Sequence, residues 1–187
     1  MPQLLQAVDL ITGYREPVLG PISFTVDSGE IIGIWGANGI GKSTLLKAIG
    51  GQAKIFSGEL IQSKPLALGY QTQQPVKLNE MPLTGREYLR FAQADDENPP
   101  EKLSALLDQR IDQLSGGQFQ LISLWAVLGS HADLVLLDEP TNNLDPASEQ
   151  FLAELLRSEQ GKRSVLLVSH EREFLRQSCD RVLEIEA

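Results

Sequence analysis

Apolar and polar positions along this chain change period several times. Residues 4–12, 22–26 and 30–35 are rich in β-branched and other apolar side chains and predict three strands, with two more at 58–62 and 66–70. The pattern then turns helical. Thr84 and Glu87, after Pro82-Leu83, are spaced as a capping box, and Tyr88, Leu89 and Phe91 give that helix its apolar contacts. Residues 94–100 are polar and proline-containing and read as a loop; a second helix over 101–109 carries Leu103, Leu106 and Leu107 on one side. From 118 to 128 the chain is apolar on every face, which predicts a buried helix. Short apolar runs at 134–137 and 164–168 suit strands of a parallel sheet. Between them Asp145 is placed as an N-cap with Pro146 at the first helical position; Phe151, Leu152, Leu155 and Leu156 form the buried stripe, and Gly161 can end the helix. A short helix from Glu171 and a strand at 182–185 finish the chain. Strands alternating with helices imply an α/β core, with a mainly helical insertion near 75–130.

One loop in this pattern carries chemistry. Gly36-Ala37-Asn38-Gly39-Ile40-Gly41-Lys42-Ser43 fits G-x-x-x-x-G-K-[ST], follows the apolar run 30–35 and precedes a helix-like run from Thr44 to Ile49. Glycines let the backbone curl so that its N–H groups cradle phosphate oxygens, and the helix behind adds its N-terminal N–H groups and positive dipole end. Lys42 can reach the β- and γ-phosphates, and Ser43 can hold Mg²⁺.

Composition narrows the setting. The 187 residues fit one domain, or one domain with a small lobe, and 42% hydrophobic content is enough for a sizeable core. A net charge of −9 argues against a general nucleic-acid or anionic-membrane surface. The single Cys179 cannot form an internal disulfide, which fits a reducing compartment, and with no His or second Cys nearby it reads as an inert structural thiol. The first residues lack a basic start with a long apolar stretch, and no run approaches the roughly 20 apolar residues that cross a bilayer. The expectation is a soluble intracellular protein whose link to a membrane, if it has one, comes through a partner.

Taken alone, Leu114-Ser115-Gly116-Gly117-Gln118 reads as a flexible turn with a helix cap; its hydroxyl, exposed backbone N–H groups and the helix N-terminus behind them also suit a second phosphate-binding surface. One chain does not need two such surfaces for one γ-phosphate. Paired with the P-loop, this stretch resembles the signature sequence of ATP-binding cassette (ABC) proteins. The other stations of that family follow in order over nearly the whole chain. Residues 134–140 look like a Walker B strand, Asn143-Leu144-Asp145 resembles the D-loop, and His170 sits where the switch histidine does. Gln73 matches the Q-loop glutamine, with Gln71 and Gln74 as neighbouring rivals, and Tyr14 resembles the aromatic that stacks on adenine.

The resemblance implies an ABC ATPase fold: a P-loop core with an antiparallel β subdomain over approximately 1–74 and 131–187, and a small helical signature lobe over 75–130. It implies ATP and Mg²⁺ as ligands. Tyr14, Gly36, Asn38, Gly39, Gly41, Lys42, Ser43 and Thr44 would bind the nucleotide. Ser43, Gln73 and Asp138 would hold the metal, and Glu139, His170, Lys42 and Gln73 would serve hydrolysis. Ser115, Gly116, Gly117, Gln118 and Asp145 would complete the ATP site of a second cassette, so ATP is sandwiched in a head-to-tail dimer. His131 has no such context and reads as a surface residue. The chain also departs from the family. Leu121 and Leu124-Trp125-Ala126 stand where many members carry arginines, which takes away that helix's usual salt links, and Trp35 is bulky for its place and reads as core packing.

Three classes of ABC protein compete. The stretch from Leu68-Gly69-Tyr70 through Pro82-Leu83-Thr84 to Glu87-Tyr88-Leu89 looks like the corresponding region of zinc and manganese uptake ATPases, where it packs against a cytoplasmic helix of an integral membrane permease subunit. That reading implies a peripheral subunit on the cytoplasmic face of the cell membrane, with no insertion of its own and no nucleic-acid partner. The alternative is a soluble ABC-F translation-associated ATPase, which Asn38-Gly39-Ile40-Gly41, residues 141–145 and residues 169–175 resemble. That group carries two cassettes, a charged helical linker and basic ribosome contacts. Chromosome- and repair-type ATPases need a long coiled-coil insertion for which there is no room. Neither transported substrate nor direction is legible here; metal-ion uptake is the family-level expectation.

Overall fold

The computed structural model describes residues 2–73, 82–95 and 97–186. Among these, eight strands and six α-helices form two sheets and their covering layers. The antiparallel sheet has the order β2-β1-β4, from β1 (Gln3–Gly13), β2 (Pro17–Asp27) and β4 (Lys54–Gln62). The second sheet is parallel throughout and runs β5 (Leu68–Gln71), β6 (Leu134–Asp138), β7 (Ser164–Val168), β3 (Ile31–Gly36), β8 (Arg181–Ile185). The central strands β6 and β7 are buried at every position. That is why their sequences read as unbroken apolar runs without alternation.

The two faces of the parallel sheet build two cores. Ile32, Ile34, Leu134, Leu136, Leu166 and Val168 face α1 (Lys42–Ile49) and the antiparallel sheet. Ile31, Val135, Leu137, Val165 and Leu167 face α4 (Gly116–Leu128), α5 (Pro146–Glu159) and α6 (Arg172–Ser178). Helices α2 (Gly85–Phe91) and α3 (Glu101–Leu107) pack with α4. The fold is therefore the expected α/β P-loop architecture with an added antiparallel sheet.

Helix caps follow the sequence closely. The Thr84/Glu87 capping box is formed, Asp145 caps α5 by accepting from the Ser148 N–H, and Pro146 is its first residue. Helix α4 is apolar all round and buried at Leu121, Leu124, Trp125 and Ala126. It is held by packing, with Trp125 Nε1 donating to the Asp95 carbonyl at 2.9 Å, in place of the arginine links that its sequence lacks. Two strands are longer than their patterns suggested. β2 starts at Pro17 because Gly20-Pro21, a loop signal in sequence, lies inside a strand whose register with β1 shifts there. β4 starts at Lys54 because Gly58 marks an irregularity in the ladder rather than its beginning. Helix α3 ends two residues early, and a 3₁₀ turn at Ile111–Gln113 leads into the signature stretch.

Candidate active site

The functional side chains gather at the carboxyl ends of β3, β6 and β7, where ligands bind in open α/β sheets. β3 ends at Gly36 and its loop turns directly into α1. Gly41 caps α1 with φ +109°, and a Cβ there would stand 2.8 Å from Leu19 Cβ, so only glycine lets the loop close on β2. Lys42 is buried and its Nζ donates to the carbonyls of Gly36 (2.8 Å) and Ala37 (3.0 Å), which keeps the ammonium over the loop. α1 has no acidic residue in its first turn, so nothing there opposes an anion.

β6 delivers Asp138 and Glu139. Ser43 Oγ donates to Asp138 Oδ1 at 2.7 Å, and Tyr70 Oη lies 3.5 Å from Oδ2. Burial, and then the charge and hydrogen bond of Asp138, hold the Tyr70 phenol well above its ordinary range. Glu139 has the left-handed φ of +49°, held by its N–H donating to the Val168 carbonyl at 3.0 Å. This backbone is uncommon outside glycine and turns the carboxylate toward β7. There Oε2 accepts from the His170 N–H at 3.2 Å and lies 2.9 Å from His170 Nδ1. A carboxylate only accepts, so Nδ1 carries the proton and Nε2 remains for a second partner.

Asn38, Gly39, Gly41, Lys42, Ser43, Thr44, Gln73, Glu139 and His170 line one cleft of about 380 Å³. Asp138 reaches it through Ser43, and Gly36 through Lys42. Gln73 is the glutamine in the cleft. Gln71 is buried in β5 with its amide unpartnered among the described residues, and Gln74 lies outside the described residues, as do 75–81 at the start of the expected helical segment. Tyr14 is half exposed in the turn after β1 and is not among the lining residues.

The signature residues stand apart from this cleft. Ser115 and Gln118 form a capping box on α4, and Gly117 approaches the D-loop, where a Cβ would lie 3.4 Å from the Asn143 carbonyl. Asp145 caps α5, a bond that holds its carboxylate below the usual range. His131 is exposed. Cys179 is free and its thiol is pushed up to about 12 by burial, which makes it unreactive. Sequence reading missed Val18 and Asn142, both of which line the cleft. Asn142 could have been found from its place three residues after Glu139. Val18 could not, because β2 looked shorter than it is.

Ser43 and Asp138 bring two hard oxygen donors together, which fits Mg²⁺. Among the described residues no cluster of three or more His, Cys, Asp or Glu could hold a metal by itself, so the remaining ligands would be phosphate oxygens and water. A phosphate cradle, a carboxylate–hydroxyl metal seat and a carboxylate bonded to an imidazole at the phosphate end make a nucleoside triphosphatase.

Similarity to known proteins agrees. The ABC transporter family matches residues 19–142. The chain is 32% identical to the high-affinity zinc uptake system ATP-binding protein ZnuC of Bacillus subtilis, over 98% of this chain and 91% of that one. It is 37% identical to the zinc import ATP-binding protein ZnuC of a Ruegeria species, over 89% of this chain and 70% of that one. Among solved structures, an ATP-binding subunit of an ABC transporter superposes with a TM-score of 0.78 at 26% identity, covering 98% of this chain and 88% of that one. The chain belongs to the ABC transporter family and is its ATP-binding, ATP-hydrolysing subunit.

Proposed function

We propose that the chain powers import of a metal ion, zinc being the cargo named for its relatives, through a membrane permease. The observation that carries the ATP-driven part of the reading is the convergence of Lys42, Ser43–Asp138 and Glu139–His170 in one cleft; the cargo rests on the relatives. No helix among the described residues is long and apolar enough to cross a membrane, so the pathway belongs to the partner.

Lys42 exchanges its two loop carbonyls for β- and γ-phosphate oxygens, and the P-loop N–H groups take the rest. Ser43, Asp138 and Gln73 would hold Mg²⁺, which would supply charge neutralisation on the phosphates. Glu139 orients the attacking water, and His170, held by Glu139, turns Nε2 to the γ-phosphate. Most of the rate comes from positioning and charge stabilisation. Ser115 and Gly117 stand outside their own chain's cleft and close the cleft of a second copy, with Asp145 at the junction. Tyr14 stacks on the base from its exposed turn.

The membrane partner docks at an apolar groove lined by Pro82, Leu83, Tyr88 and Phe91. Phe91 is 77% exposed and, with Pro82, Leu83 and Tyr88, makes a contiguous apolar patch of the kind that marks an interaction surface. The test is Glu139→Gln and Lys42→Ala. Glu139→Gln is expected to bind Mg-ATP, stop turnover and accumulate a dimer by light scattering; hydrolysis at the wild-type rate would remove Glu139 from the mechanism. Lys42→Ala is expected to lose nucleotide binding, and unchanged affinity would overturn the P-loop assignment.

A further inference from the structure

Trp35 has no part in the chemistry above, yet it stands one residue before Gly36, whose carbonyl receives Lys42 Nζ. Its face of β3 is the one covered by α6. At Gly33 a Cβ would lie 2.9 Å from Leu175 Cδ2 and 3.1 Å from Cys179 Sγ, so the helix rests directly on the strand there. Two residues up a strand is roughly 6.6 Å, and three residues back along a helix is about 4.5 Å. Trp35 therefore faces Arg172.

The contact is made. The Arg172 guanidinium lies 4.7 Å from the centroid of the Trp35 ring, and its Nη2 donates to Glu184 Oε2 at 3.0 Å. Glu184 is the β8 residue in register with Trp35. One arginine thus grips a ring and a carboxylate on two neighbouring strands, which a planar guanidinium does and an ammonium does less well.

Arg172 is also the first residue of α6, two past His170. The loop that carries His170 is tied to β3 at both ends. Before the histidine, the Ser169 N–H donates to the Ile34 carbonyl at 3.3 Å; after it, Arg172 stacks on Trp35. We propose that Trp35, Arg172 and Glu184 form a clamp that sets the height of the histidine loop against the P-loop strand, so that Trp35 and Arg172 are positioning residues for hydrolysis. The clamp rests on the ATPase reading with His170 at the γ-phosphate. It gives the bulky Trp35 a role that core packing alone does not. A misplacement of 1 Å is enough to cost catalysis heavily.

The experiment measures turnover and ATP affinity for Arg172→Gln, Trp35→Leu, their double variant, Arg172→Lys and His170→Ala. Each of the first two is expected to lower kcat roughly two- to fivefold with ATP affinity unchanged. The double variant is expected to fall no further than the lower single, because both remove one contact. Arg172→Lys, which keeps a cation but loses the planar fork, is expected to fall between the wild type and Arg172→Gln. In a Trp125→Phe background, Arg172→Gln is expected to shift the emission of Trp35. Additive losses, or a lower melting temperature with kcat untouched, would make the contact merely structural and overturn the clamp. A His170→Ala variant with wild-type turnover would instead sink the histidine assignment beneath it.

Discussion

At the scale of the residue, strain and charge concentrate around one imidazole. Glu139 holds a left-handed backbone and His170 hangs from its carboxylate. Behind them Glu171 faces Glu149 of α5, and two neighbouring carboxyl groups resist ionising together. Burial, the hydrogen bond to Glu171 and the charge of Glu171 raise the Glu149 carboxyl above its ordinary value of 4.5. A raised value in the folded state means that the native protein binds this proton more tightly than the unfolded chain. The stabilisation is complete below the ordinary carboxylate range and is lost as pH rises through the raised value. Glu149→Gln keeps a donor for Glu171 and cannot ionise. It is expected to match the wild type in urea unfolding at pH 4 and to exceed it at pH 7.5. An equal difference at both pH values would show that the Glu149 carboxyl is not raised in the folded protein.

At the scale of the element, the two capping boxes separate stability from function. Thr84 with Glu87 on α2 and Ser115 with Gln118 on α4 share the same reciprocal pair of backbone–side-chain hydrogen bonds, and the Thr84 hydroxyl also donates to Glu87. Ala at either N-cap is expected to cost about 1 kcal/mol of stability, read by thermal unfolding. Only Ser115→Ala is expected to lower ATP turnover at saturating nucleotide, because in the proposed dimer only that hydroxyl would meet a second copy's γ-phosphate. Equal turnover in the two variants would reduce the signature serine to a helix cap. The comparison is direct because α2 and α4 belong to the same apolar cluster: Leu89 and Ile122 are fully buried in it.

At the scale of the whole molecule, the P-loop cleft and the signature stand apart on one chain, and the apolar groove at Pro82, Leu83, Tyr88 and Phe91 is a third surface. Each is a half-site. In the proposed mechanism nucleotide would join two of them across copies, and the groove would carry the resulting movement to the membrane subunit, a rigid-body coupling. Phe91→Glu places a charge in that groove without touching the cleft. It is expected to abolish co-purification of the membrane subunit from native cells in mild detergent while leaving ATP affinity unchanged. Ribosomal proteins recovered with the wild-type chain, with no multi-spanning partner, would move the ATPase to a soluble translation role.

The sequence by itself determined what neighbouring residues decide among themselves. Helix starts at Thr84, Ser115 and Asp145, the P-loop turn and the order of the stations were legible, because caps and turns are closed by atoms three or four residues apart. So were the two-sided burial of β6 and β7 and the fold class that follows from it. Only the tertiary structure decided what meets across the chain. Ser43 reaches Asp138, Glu139 reaches His170, and Arg172 reaches Trp35. Val18 and Asn142 enter the cleft, and Gln73 rather than Gln71 lines it, because strand order and register bring them there. Hydrophobic periodicity says which face of an element is apolar. It does not say which element will cover that face, and the covering element supplies the contacts.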